Sequence, residues 1–110
     1  MIIVTSNHIP GRRITRSLGL VRGNTIRARF LGHDMMAVFR HIAGGEIREY
    51  TKMMGEAREQ AVDRMIEDAE ALGADAVVGV RFQTCEVMKG AAEILCYGTA
   101  VVTEEAEPGG

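Results

Sequence analysis

The sequence predicts an α+β domain in which an antiparallel sheet is packed by one long helix and one short helix, in a subunit that associates with copies of itself. Three observations carry that expectation. Residues 46 to 72 place apolar side chains at three- and four-residue steps, the stripe of an amphipathic helix. The segments on either side alternate at period two or run apolar without a break, as strands do. Finally, a chain of 110 residues makes one domain and buries only about two-thirds of its unfolded surface, so a core this thin gains from contacts between subunits.

IIVT at 2 to 5 reads as a short strand, stopped by the turn-rich SNHIPG at 6 to 11. In RRITRSLGLVR, Ile14, Leu18 and Leu20 share a face with Arg16, while Arg13, Thr15, Ser17 and Gly19 share the other, the pattern of a half-buried strand. Arg22, Gly23 and Asn24 supply residues that tolerate a tight hairpin, and Ile26, Ala28 and Phe30 then alternate with Arg27 and Arg29 as a returning strand. Asp34 is placed to cap a short helix, MMAVFRHI, whose Met35, Val38, Phe39 and Ile42 share a face before Gly44 and Gly45 end it.

The long helix carries Ile47, Tyr50, Met54, Ala57, Ala61, Met65, Ala69 and Leu72 on its apolar stripe. Glu46 and Glu49 suit the positive end of its dipole, and Gly73 sits where a left-handed cap belongs. Ala74 and Asp75 are then the whole connection to AVVGV, a strand too uniformly apolar for a solvated edge. Beyond Val80 the pattern alternates, with Phe82 and Thr84 on one side and Arg81, Gln83 and Cys85 on the other. Met88, Lys89 and Gly90 form a turn, and AEILCYGTAVVT is the last strand. The domain spans 1–103, and EEAEPGG at 104–110 is expected to be a disordered acidic tail. Gly44, Gly45, Gly73, Asp75 and Gly98 are assigned structural roles.

Two features of the helix point outward. At about 100° per residue, Arg58 projects into the apolar stripe, where a charge must snorkel or meet a carboxylate, and an intersubunit ion pair is expected. Ala57 and Ala61 leave little bulk and let a sheet or another helix approach, so they join Arg58 as expected interface residues.

The two cysteines test the last hairpin. If paired residue numbers sum to an even value, Val78, Val80 and Phe82 face Val102, Ala100 and Gly98, while Arg81 and Gln83 face Thr99 and Tyr97. That register separates apolar from polar and puts Cys96 in the core with Cys85 on the opposite face, which forbids a disulfide or a shared metal.

Composition narrows the class. Hydrophobic residues at 46% and charged residues at 25% describe a folded globular chain. No apolar run reaches the roughly 18 residues that span a bilayer, no leader pattern opens the chain, and two cysteines without CxxC spacing suit a reducing compartment. A cytoplasmic location and no membrane partner are the expectation. The net charge of -2 hides an asymmetry: up to Gly45 there are seven Arg against the single acid Asp34, and beyond it six bases against fourteen acids. An Arg-rich sheet face meeting an acidic helix, in the same chain or a neighbour, is preferred over nucleic-acid or anion binding through the Arg-rich segment.

The GG and acidic helix start at 44 to 46, the ALGADAVVGV block at 71 to 80, GTAV at 98 to 101 and the opening TSNHIPG resemble the YbjQ family, from residue 1 to about 103. Its members are largely uncharacterised and carry the label of a heavy-metal-binding domain. The resemblance implies a subunit similar to those of dodecins, assembling into a homopentamer. The Arg density at 12 to 29 and the short 88 to 91 turn depart from that pattern.

A divalent or heavy-metal ion would draw on His8, His33, Asp34, His41, Cys85 and Cys96, with His33, Asp34 and His41 the candidate ligands. No CxxC or HxxxH spacing supports them, and Asp34 already has a capping task. Phosphate binding at Gly44 and Gly45 is opposed by Glu46 and Glu49, and neither a GxGxxG nor a P-loop occurs. Ser6 and Ser17 lack a nucleophile elbow, and no Cys–His pair is supported. The sequence therefore points to a non-enzymatic, self-associating structural or ligand-binding module, with a metal-binding protein and an anion or nucleic-acid binder as alternatives.

Overall fold

One long strand and the helix that crosses it set the architecture. A computed structural model describes residues 1–28, 44–88 and 90–107. Strands β1 (Ile2–Ile3), β2 (Arg12–Ala28), β3 (Ala76–Met88) and β4 (Ala91–Glu105) form one sheet in the order β1-β3-β4-β2, with helix α1 (Gly44–Ala71) on one face. β4 runs antiparallel to both β2 and β3, whereas β1 pairs with β3 in parallel. The sheet is therefore mixed, not antiparallel throughout, because the long route through β2 and α1 brings the chain back in the direction it started. The short helix expected over 35 to 42 lies outside the described residues. The molecule is long and thin, 61 × 25 × 15 Å, with a radius of gyration of 18.2 Å where a compact domain of this length has about 13 Å.

The largest correction concerns Gly23. It does not turn a hairpin: β2 runs unbroken past it, and its φ is not positive. A Cβ there would lie 2.1 Å from the Ala61 carbonyl oxygen and 2.4 Å from the Met65 nitrogen. The helix thus rests directly on the strand backbone, and Gly23 is what lets it. Ala57 and Ala61 form the other half of this contact and are completely buried within the chain, so their small size serves the fold rather than a subunit interface. Thr25 locks the crossing by donating its hydroxyl to the Ala57 carbonyl at 3.0 Å.

Two register shifts in β2, between Ile14 and Arg16 and between Ser17 and Gly19, correct the simple alternation. They send Leu18 and Val21 to the helix side, while Leu20 on the opposite face is 68% exposed. In the β3–β4 pair the cysteine expectation holds, with Cys96 buried and Cys85 exposed. The pairing itself differs: Phe82 faces Cys96 instead of Gly98, and Val78 faces Thr99 instead of Val102. The cause is a turn that sets Met88 opposite Ala91, followed by one extra β3 residue between Glu86 and Met88 and another at Gly79 and Val80, where Gly79 takes φ 63°. Gly98 fits under this bulge, since a Cβ would meet Val77 Cγ1 at 2.7 Å.

The close of α1 follows the sequence. Gly73 (φ 86°) donates to the Glu70 carbonyl and Ala74 to that of Ala69, the paired bonds of a Schellman cap. The chain then enters β3 within two residues. Val21, Ala57, Ala61, Met65, Val77, Ile94 and Cys96 form the core between helix and sheet, with the Cys96 thiol 3.5 Å from the Met65 sulfur. A smaller cluster of Ile9, Ala76, Val78 and Val101 covers the opposite face at the β1 end. β4 runs on through Glu105, so the expected tail loses its first two residues to the sheet, where Glu104 and Glu105 pair with Arg13 and Arg12.

Candidate functional site

The helix packs over β2 and β4 and leaves the outer part of β3 uncovered. From Arg81 to Met88 every residue is exposed, including Phe82 on the helix side at 48%. Between Phe82 and α1 lies an open groove of about 540 Å³ lined by Gly55, Arg58, Glu59, Val62 and Asp63. Arg58 stands here, exposed, with no ion pair among the described residues. On the other face Leu20 and Ile26 of β2 are likewise bare.

A second polar constellation lies at the base of the sheet. The Asp75 carboxylate accepts the Thr103 N–H at 2.9 Å and the Thr103 hydroxyl at 3.0 Å. Arg12 donates its Nε–H to that hydroxyl at 2.7 Å and lies 3.6 Å from Asp75. These groups bond one another, so the cluster ties the strand ends together. Asp75 is half-buried and structural in its contacts.

Among the described residues, no ion pair joins the Arg-rich strand to the acidic helix of the same chain. Arg12 pairs with Asp75, beyond the helix, and Arg13 with Glu104 of β4. Arg27 donates to the Gln60 side-chain oxygen at 2.7 Å. Asp68 is the helix acid that reaches β2, and it takes the backbone N–H of Arg22, not a guanidinium.

Of the residues proposed for metal, His33, Asp34 and His41 lie outside the described residues. His8 is exposed in the first loop, and the two cysteines are on opposite faces. Among the described residues no three His, Cys, Asp or Glu side chains gather as a metal site. Burial pushes the Cys96 thiol above its ordinary range, as suits an inert core sulfur. Sequence reasoning missed Gly23, Phe82 and the open β3 edge; the one available signal was a strand glycine facing an alanine-lined helix.

The geometry defines a small α+β fold whose mixed sheet is only partly covered by the helix along β3. No helix among the described residues is long and apolar enough to cross a membrane. The chain belongs to the YbjQ family, whose model, described as "Putative heavy-metal-binding", matches residues 1–104. It is 60% identical over 101 residues to a UPF0145 protein of Methanosarcina acetivorans, covering 92% of this chain and 95% of that one. A UPF0145 protein of Methanococcus vannielii is 54% identical over 105 residues, covering 96% and 100%. Neither name states an enzymatic activity. The fold is similar to the crystal structure of a protein of unknown function from Pediococcus pentosaceus belonging to the DUF74 family, with a TM-score of 0.63, 19% identity and coverage of 94% and 98%.

Proposed function

We propose that the chain is the subunit of a homopentameric, non-enzymatic module that is structural or holds a ligand between subunits. The observation that carries this reading is the bare outer sheet: Leu20 and Ile26 on one face of β2, Phe82 on the helix side of β3, and Val87 and Met88 at the end of β3 are large, apolar and exposed. Large apolar side chains left bare on both outer strands of a sheet suit an interaction site, and a second copy is the partner that a thin core most needs. The groove beside Phe82 lies next to this surface, so a ligand would be enclosed only on assembly. Native mass spectrometry on the full chain tests the reading: a species of five subunits supports it, and a monomer at micromolar concentration overturns it.

A second reading, that the protein binds a divalent or heavy-metal ion, is favoured by the family description alone. The described residues supply no ligand set, and His33, Asp34 and His41 remain the named candidates. Metal content unchanged in His33→Ala, Asp34→Ala and His41→Ala would exclude those ligands. A mass unaffected by chelation would leave the assembly reading without a resident metal.

A further inference from the structure

We infer that the open edge of β3 is the docking surface for a second copy of this chain, which lays the end of its β2 alongside, joining copies head to tail. The inference rests on the oligomeric reading above and specifies its interface.

The two outer strands fix which edges are free. On β3, the Val80 N–H donates outward to Val4 of the β1 segment. By the two-residue period, Phe82, Thr84 and Glu86 then also turn their backbone groups outward, beyond the reach of β1, up to the register shift between Glu86 and Met88. On β2, the Arg22 N–H bonds Asp68 and the Asn24 carbonyl accepts from Arg64 at 2.6 Å, so residues of even number face away from β4 there. Those two are occupied by helix side chains. Ile26 and Ala28, next in the same series, have no such cover among the described residues.

Direction and register agree. β2 and β3 both run antiparallel to β4, hence parallel to each other. Rotation about an axis along the strands preserves direction, so a ring of copies must join β3 to the partner's β2 in parallel. In parallel pairing an outward-facing residue bonds to the two residues flanking its opposite number. Glu86 opposite the partner's Arg27 meets that condition, with its N–H on the carbonyl of the partner's Ile26 and its carbonyl on the N–H of the partner's Ala28. Glu86 and Arg27 also occupy one row of the sheet, both facing Ala92 of β4 and both on the helix side. Joining copies therefore sets a carboxylate beside a guanidinium. The next row places exposed Cys85 beside the partner's Ile26, since both face Glu93. The partner's helix, lying over its own β2, then covers Phe82 and closes the groove.

Ile26→Cys tests the register directly, because both positions are exposed and the native fold does not use them. Under mild oxidation with a small-molecule disulfide, the full-length variant should give a denaturing-gel ladder extending past the dimer, and Ile26→Cys/Cys85→Ser should give none. Absence of the ladder, a ladder that survives loss of Cys85, or dimers alone through Cys85 would each overturn the inference. As a second measurement, Glu86→Arg or Arg27→Glu should each weaken assembly about tenfold and the double reversal should restore it. Wild-type oligomers indifferent to both reversals would sink this interface while leaving the oligomeric reading intact, and a monomeric wild type would sink both.

Discussion

β2 and β3 lie at opposite sides of the same sheet, and α1 treats them differently. Along β2 the helix sits so close that Gly23 has no room for a methyl group, and Asp68 and Arg64 reach over to occupy the strand's outward backbone groups. Along β3 the helix stands off, and Phe82 looks into an open groove. An exposed strand edge invites pairing, and proteins usually blunt it. Here one side is blunted by the chain's own helix at Arg22 and Asn24, while the other is left with apolar side chains. On the oligomeric reading proposed above, the unfinished side is where a partner would contribute most.

That contrast can be broken hardest at Gly23. Valine there would force the helix off the strand, and urea denaturation should show a loss of about 3 kcal/mol or more, or no cooperative transition. Stability within about 0.5 kcal/mol of wild type would mean that the helix does not rest on this glycine. Met65→Ala, which hollows the same contact from the helix side, should cost about 2–5 kcal/mol by the same measurement. Asp75→Ala removes the acceptor of two bonds from Thr103 and the partner of Arg12. Because Asp75 is partly exposed, about 1–2 kcal/mol is expected, with hydrogen exchange rising first at the β1 end.

The smallest effect distinguishes the two thiols. A thiol reagent should label Cys85 at once and Cys96 only on unfolding. Burial raises the Cys96 pKa in the folded chain, so the sign is fixed. Below the ordinary thiol range both states keep the proton and stability is unaffected. Above about pH 8.5 the unfolded chain releases it first and stability falls. Stability flat from pH 8 to 10 in a Cys85→Ser background, with Cys96→Ala as the reference, would contradict this.

Much of the fold is legible in the sequence where one local cause determines one local shape. The stripe at Ala57, Ala61, Met65 and Ala69 shows which helix face is buried, and Gly73 marks where the chain turns. The inward and outward cysteines follow from parity, which survives a two-residue error in register because side chains repeat every two residues. What failed depends on distant partners. Arg22, Gly23 and Asn24 look like a hairpin turn, and only the helix packed against them, thirty-odd residues later in the chain, reveals a contact glycine instead. The bulges in β2 and β3 reverse faces without any signal in the alternation. Within the chain, Arg12 and Arg13 find their acids at one end of the sheet, in Asp75 and Glu104, and not on the helix. For the candidate site, Arg58 was legible as a misplaced charge, whereas the open edge follows only from strand order.

The order of strands also governs timing. Arg12 is bonded to Thr103, 91 residues away, and β1 finds its partner only after α1 is complete. While the chain is being synthesised at roughly 5–20 residues per second, β2 therefore waits with its arginines and apolar side chains unpaired until β4 leaves the ribosome. Native contacts this distant in sequence make folding slow. The arginines spaced along β2 then act as guards against premature strand pairing.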